Sequence, residues 1–574
     1  MWEDDMGSKT KRTLIVAGSA LELDVHFSPR DIVESVALSF PDSAEVVNKH
    51  ADEAGRILLD DLKLLPGQSP LTKKLDGFAA NFERLATLDK LSVNPGLNLY
   101  EAVAGIYESL ARLHRWELQK AREDPSLRPD RTDEYLQNLV LCTRSGKPAM
   151  NARSQVGLTI DYWREKRLQP TTSPDLSSWI TKNEKIWSIL IDCSPLRDME
   201  VSPVRVSDKW ISVDIEKPMM PDDLVVDGGP ILDWLQPDNT YLPEEQDNKA
   251  ASLLVSPPRL PEVAFHATFD PPVKISQFLW DHLRQMGCAP VSSSMNQHLR
   301  NFDDLLFPVA SGSNYEPSET RLITATKKVA VIPRSGVDGG DGAGNWQLKI
   351  HTNKLYVFKP IYGRTLSEVT FSHPQNLISI MPYIRQYAFL STLLEKSFGN
   401  VPGPESSQKR EPGVGEEVHD TTKKNTTTRD DFDSFLTSSS NPNHRVSTFS
   451  SPVDTSTNSG GGGDIADKAK QGNPIAEGEE PPVSVDVTLS FNPIPQLQIV
   501  FPLPGRAQEE PRSVKVQLEI RENGHVHVEY QNVLDDSNSL APNGRMRQVE
   551  DIGKLLETVE DIGEWCEFLR TRWA

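Results

Sequence analysis

Cysteine is scarce in this chain of 574 residues: Cys142, Cys193, Cys288 and Cys566 stand far apart, with no Cys-x-x-Cys and no metal-type spacing. A secreted disulfide framework needs a denser set. The thiols are therefore expected to be ordinary buried residues in a reducing compartment. Long apolar runs are missing too. No stretch approaches the roughly 20 residues that a bilayer-spanning helix needs, so the chain is expected to be soluble, with no membrane partner. The short run Leu14–Leu21 follows the acidic residues Glu3, Asp4 and Asp5, whereas a signal peptide starts basic and has a longer core. Positive charge is in deficit, 61 basic residues against 82 acidic ones, for a formal net charge of -21. Such a surface repels phosphate backbones, which argues against direct nucleic-acid binding. Lys9, Lys11 and Arg12 form only a small basic patch.

Signatures of catalysis are equally thin. Gly146-Lys147 lacks the upstream glycine and the following hydroxyl residue of a phosphate cradle. Gly336, Gly339, Gly340, Gly342 and Gly344 do not spell a dinucleotide fingerprint and read as a loop between strands. There is no GxSxG elbow and no HExxH helix. His525 and His527 share one face of a predicted strand and could hold a metal. With no third ligand near them in sequence, they read instead as an exposed polar face beside a turn. No pair of carboxylates is isolated in a way that suggests a tuned acid. The chain is expected to be no enzyme, with no catalytic residues, cofactor or metal.

What the chain does have is helix-pairing surface. Leu71, Leu75, Phe78, Phe82 and Leu85 step by four, three, four, three; Leu99, Val103, Ile106, Leu110 and Leu113 alternate the same way. That is the a/d seam of a helix meant to lie beside another. Asn94-Pro95-Gly96 breaks the chain between the two helices, and Asn98 with Glu101 can cap the second reciprocally. Each helix holds only about two heptads, so the pair either closes its own seam as an antiparallel bundle with the preceding helices or presents it to a neighbour. Tyr107, Trp116 and Leu118 lie beside the seam and are available in either case. Upstream, Ser28-Pro29 with Asp31 reads as the start of a helix with Ile32, Val33, Val36 and Phe40 on one face. A longer helix is expected from about Ala44 to Leu64, closed by Pro66-Gly67.

Beyond about Glu134, valine-, isoleucine- and tryptophan-rich runs alternate with turn residues. Leu158–Trp163, Ile186–Ile191, Trp210–Ile215 and Trp346–Ile350 read as strands, with helices near Ile275–Met286 and Leu377–Phe398. Pro237–Ala251 looks like a surface insertion. Residues 403–482 hold few aromatics and a Gly460–Gly463 run, and cannot bury enough apolar surface to offset their ordering entropy. Structure resumes with alternation at Val483, Val485, Val487, Leu489 and Phe491, then a strand at Leu497–Phe501, a hairpin around Asn523-Gly524, and a helix over about Val549–Trp573. Two short motifs suit partners. Leu390–Leu394 spells LxxLL but sits in an apolar helix and reads as core. Phe432–Leu436 is an acidic-aromatic cluster that could fold on a partner. The fold class is therefore α+β: a flexible N-terminus at 1–27, an antiparallel helical region at 28–125, a β-rich α+β region at 134–400, a disordered insertion at 403–482, and β-hairpins with a C-terminal helix at 483–574.

Four runs carry a resemblance to a known family. TKKLDGFAANFERL from Thr72 to Leu85, NPGLNLYEAVAGIYESL from Asn94 to Leu110, LCTRSGKPAM from Leu141 to Met150 and GLTIDYWREKR from Gly157 to Arg167 resemble the Mediator complex subunit 1 family in its filamentous-fungal form. The resemblance covers most of the chain outside the 403–482 stretch. It implies a nuclear, non-enzymatic coactivator subunit of the middle module of Mediator. Such a subunit has other Mediator subunits and transcriptional activators as partners, and reaches RNA polymerase II and the preinitiation complex indirectly. Animal members carry nuclear-receptor boxes in a long tail that is not expected here, so receptor binding is not carried over to Leu390–Leu394. The candidate partner interface is Leu71, Leu75, Phe78, Phe82, Leu85, Leu99, Val103, Ile106, Tyr107, Leu110, Leu113 and Trp116. A cytosolic tethering or trafficking scaffold shares the helical hairpin and acidic surface and is the alternative; an enzyme with a site assembled from distant residues is a third class.

Overall fold

The computed structural model describes residues 12–399 and 481–573, with breaks at 42, 95, 126–131, 169–184, 198–200, 218–229, 244–257, 292–298, 309–319, 332–346, 505–510 and 535–547. The 403–482 stretch, Phe432–Leu436 and the glycine run at 336–344 lie outside the described residues, or all but their last positions do. The chain divides into two compact units. The first holds residues 1–299, 362–388 and 522–524, and the second 300–361, 389–521 and 525–574. Elements are numbered along the chain.

The first unit opens with three antiparallel strands, β1 (Arg12–Ala17), β2 (Glu22–Phe27) and β3 (Val33–Ser39). Two expectations are corrected here: residues 12–27 are strands and not a flexible terminus, and 33–39 is a strand and not a helix. Ser28 does not cap a helix. Its Oγ accepts from the backbone N–H of Arg30 and Ile32, and Asp31 takes a positive φ of 62°. Ser, Pro and Asp thus build the β2–β3 turn, for which they are as well suited as for a helix start. Leu23, Val25 and Leu38 then line one buried face.

Helices α1 (Glu45–Asn48), α2 (Ala51–Leu62), α3 (Asp76–Leu91), α4 (Leu99–Glu123) and α5 (Asp133–Thr143) follow. The helix expected from about Ala44 to Leu64 is thus interrupted near His50; of its expected stripe Val47, Ala51, Ala54 and Leu58 are buried, whereas Leu62 is partly exposed and Leu65, past the helix end, is exposed. α2 lies on β3 so closely that a Cβ on Gly55 would meet the Val36 carbonyl at 2.9 Å. The main sheet of this unit is antiparallel, in the order β10 (Cys288–Pro290), β14 (Tyr362–Phe371), β9 (Val263–Ser276), β6 (Ile186–Pro195), β5 (Leu158–Arg164) and β4 (Lys147–Met150). A small pair, β7 (Ile211–Glu216) and β8 (Leu232–Trp234), completes its strands. α3 packs on β6, α4 on β4 and α5 on β5, while α6 (Gln277–Gln285) packs on β10 and β14. Ile160, Tyr162, Trp163, Ile189, Trp210, Phe265 and Phe371 form a core closed to water. Phe265 stacks on Phe371 with ring centroids 5.5 Å apart.

The second unit is built on a sheet ordered β12 (Arg321–Val331), β13 (Gln347–Val357), β15 (Val483–Asn492), β16 (Ile494–Leu503), β17 (Arg512–Ile520) and β18 (Val526–Gln531). Every pairing is antiparallel except β13 with β15. Strand alternation decides the inner face: Val483, Val485, Val487 and Leu489 are all buried. β11 (Arg300–Asn301) and α7 (Phe302–Leu306) precede the sheet. Arg321 reaches back to Asp303, 2.7 Å away, and to Asp304 at 2.5 Å. The expected C-terminal helix is two, α9 (Val549–Val559) and α10 (Ile562–Phe568). Glu560 turns left-handed between them, φ 54°, and Asp561 caps the second through the Glu564 N–H. Helix α8 (Pro374–Phe398) is divided between the units after Ala388. Its LxxLL leucines, Leu390, Leu393 and Leu394, are fully buried.

Candidate protein-interaction site

Asn81 fixes α3. It is almost fully buried, donates to Asp61 Oδ2 (2.8 Å) and the Ser154 carbonyl (3.0 Å), and accepts from the Val156 N–H (2.9 Å). In the last turn Asp89 accepts from the N–H groups of Ser19 and Ala20 at 2.8 and 2.7 Å, which ties the β1–β2 turn to the helix. Those two anchors orient Leu85 and Leu88 inward. The N-terminal part of the seam faces outward and is not in helical register: Leu71 lies in a 3-10 turn, Pro70–Thr72, Lys73 is extended, and Leu75 is the N-cap of α3, so of the five expected seam residues only Phe78, Phe82 and Leu85 lie on the helix. Leu71 is 96% exposed and Leu75 49%. Phe78 and Phe82 are half-buried and stack on one another with centroids 5.8 Å apart.

The second half of the seam is placed differently. Asn98 caps α4 by accepting from the N–H groups of Tyr100 and Glu101. Glu101 Oε1 takes the Ala44 N–H (2.8 Å) and the Asn98 side-chain amide (3.3 Å), where the expected reciprocal cap would have used the Asn98 backbone. Leu99, Val103, Ile106, Leu110 and Leu113 are all closed off from water within the unit. One cover is the segment before β7. Ser109 Oγ donates to the Asp208 carbonyl (2.8 Å), Arg112 to that of Ile211 (2.7 Å), and a Cβ on Gly105 would meet the Ser207 carbonyl at 2.0 Å. Beside the seam, Tyr107 meets the His50 ring edge-on at 5.1 Å and Trp116 carries the Lys120 ammonium over its ring at 5.2 Å; both are half-buried. Leu71, Leu75, Phe78 and Phe82 thus make an accessible apolar strip, while Leu85 and the five α4 residues hold the helices in place. Asn81 and Gly105 were not singled out by sequence; an isolated glycine inside a helical pattern is the signal for such a close approach.

Titratable groups elsewhere are shaped by burial. Burial pushes Asp192 up to about 6 and His114 down to about 4. It raises Glu117 as well, against hydrogen bonds from the Ser145 N–H and hydroxyl. The Cys193 and Cys566 thiols lie well above their usual range, which keeps them protonated and poor nucleophiles. His525 and His527 are both exposed, and His525 lies 3.6 Å from Glu557. Among the described residues no three His, Cys, Asp or Glu side chains converge as metal ligands.

Exposed apolar residues leading into a helix anchored by buried polar contacts are suited to protein contact, and the sequence comparison says in which setting. The family model for Mediator of RNA polymerase II transcription subunit 1 matches residues 1–399. The chain belongs to that family. No curated protein matches it. Membership makes it a subunit of the Mediator complex, acting in transcription, in a family that is a non-catalytic component of a regulatory assembly, with other Mediator subunits as partners. Among the described residues no helix is long and apolar enough to cross a membrane.

Proposed function

We propose that this chain is a non-enzymatic coactivator subunit of the Mediator middle module in the nucleus, relaying signals from DNA-bound activators to RNA polymerase II and the preinitiation complex through protein contacts alone. The family match over residues 1–399 carries this reading. The net charge of -21 supports a role without direct nucleic-acid contact. Within that role the strip Leu71, Leu75, Phe78 and Phe82 takes an apolar helical face of a neighbouring Mediator subunit. Leu71 and Leu75 are exposed just ahead of α3, and Phe78 and Phe82 are a stacked pair on it; aromatics are typical anchors of such contacts. Tyr107 and Trp116 are the second contact we assign.

Aspartate at Leu71 and Leu75 tests the exposed end of the strip without touching its packed part. Substitutions at exposed Leu71 and Leu75 shift stability by no more than about 0.5 kcal/mol. We expect the double variant to keep the parent melting temperature and to lose at least about tenfold in recovery of other Mediator subunits during affinity purification, the loss that about 1.4 kcal/mol produces. Full recovery would remove the strip as the docking surface. Residence of the tagged parent chain in the cytoplasm would favour the tethering scaffold instead.

A further inference from the structure

The family match stops at residue 399, but the fold that begins there does not. In the first unit, Arg385 on α8 is fully buried. Its guanidinium donates to the carbonyls of Tyr162 (2.9 Å), Leu141 (3.0 Å) and Arg144 (2.5 Å), all from the matched stretch. The remaining direction, Nη1, is filled from the far end of the chain, by Asn523 Oδ1 at 2.8 Å. Arg167 repeats the arrangement. It is 2% exposed, lies over the Trp163 ring at 4.1 Å, and donates from Nη2 to the Gly524 carbonyl at 3.0 Å. Tyr383 hydrogen-bonds Glu522. Three consecutive turn residues are thus received by three residues of the 1–399 stretch. Two of the receivers are buried cations, and withdrawing an acceptor from a buried cation is costly.

The turn is shaped for this site. Asn523 and Gly524 both take positive φ, 57° and 68°, a conformation asparagine and glycine tolerate best. It aims an amide oxygen and a carbonyl at the two guanidinium groups. In the second unit a separate observation points the same way. β13 has β12 on one side; its other side is paired from His351 to Tyr356 by β15, from Val483 to Thr488. Without residues 481–573 that side of β13 would be an open edge.

We infer that residues 1–399 contain a built binding site for the chain's own C-terminal segment, and that this site holds the segment without a covalent link. The ligand is a left-handed Asn-Gly turn read by two buried arginines, together with a strand laid parallel on β13.

The full chain carrying one protease site inserted at residue 440 tests this. Purified intact and then cut under native conditions, the two pieces should elute together at the position of the uncut chain and melt in the same transition. Asn523→Gly keeps the left-handed backbone and removes only the amide acceptor. In the cut chain it should weaken re-association of the pieces by about tenfold or more, the effect of losing a hydrogen bond to a charged group. Separation of the cut parent pieces without denaturant would overturn the inference. So would resistance of the inserted site to cutting, which would place that segment inside the fold, or an Asn523→Gly chain whose pieces rejoin as tightly as the parent's.

Discussion

At the scale of single residues, burial decides more than chemical type. His114 is an example. Its ring sits in α4 with little water, a hydrogen bond with the Gly146 backbone only partly offsets the cost of charging it, and its pKa falls to about 4. The unfolded chain binds that proton near the ordinary value of 6.5, so between the two values the unfolded state holds more protons than the folded one. Stability from His114 is therefore full above about pH 6.5 and is lost as pH falls toward 4. Asp192 has the opposite sign: with its carboxyl raised to about 6, the fold gains as pH falls through that window. Comparing the parent with His114→Gln isolates the histidine. We expect the parent to lose about 2 kcal/mol more than the variant between pH 7 and pH 5, measured by urea unfolding. Equal slopes would mean the ring is hydrated. The sequence offered no hint of this, because His114 differs from an exposed histidine only in what surrounds it.

Close approach governs the elements. Glycine inside α4 is locally unfavourable, by about 1 kcal/mol against alanine. Helix propensity alone would therefore make Gly105→Ala stabilising. Its Cβ position, however, is occupied at 2.0 Å by the Ser207 carbonyl, within a contact that also joins Ser109 to Asp208 and Arg112 to Ile211. We expect Gly105→Ala to destabilise the chain by about 1–3 kcal/mol, the cost of overpacking, as a lower thermal midpoint. A raised midpoint would show that the 201–210 segment yields. Elements with a local signal were legible. The alternation at Val483–Phe491, the Asn523-Gly524 turn, and the strands at 158–163 and 186–191 all form as read. The failures share a cause. Ser28-Pro29 and Asp31 suit a helix start and a turn alike, and the choice fell to β2 and α2, whose buried faces β3 completes.

For the whole molecule, the long polar stretch matters through where it is inserted. Both units draw on residues before and after it. Deleting residues 410–475 should leave the thermal midpoint of the chain within the scatter of replicate scans, read by differential scanning calorimetry. A drop of several degrees would mean that the stretch contributes contacts of its own. The candidate site was half legible. The four-three spacing located both helices but began the first too early, since Leu71 and Leu75 precede α3, and it could not tell these exposed leucines from the α4 seam, closed at Leu99 and Leu113. The two carry the same pattern.

The sequence by itself determined what is local: the periods of helix and strand, the turn residues between them, the acidic balance, and the runs that resemble the Mediator subunit 1 family. Tertiary structure decided which apolar face meets the rest of the chain and which meets water, and that a turn beyond residue 520 completes a site built from residues 141–385. The reason is physical. Period and propensity depend on neighbours a few positions away, whereas burial and hydrogen-bond partners depend on segments far apart in sequence, as Arg385 and Asn523 are, 138 positions from one another.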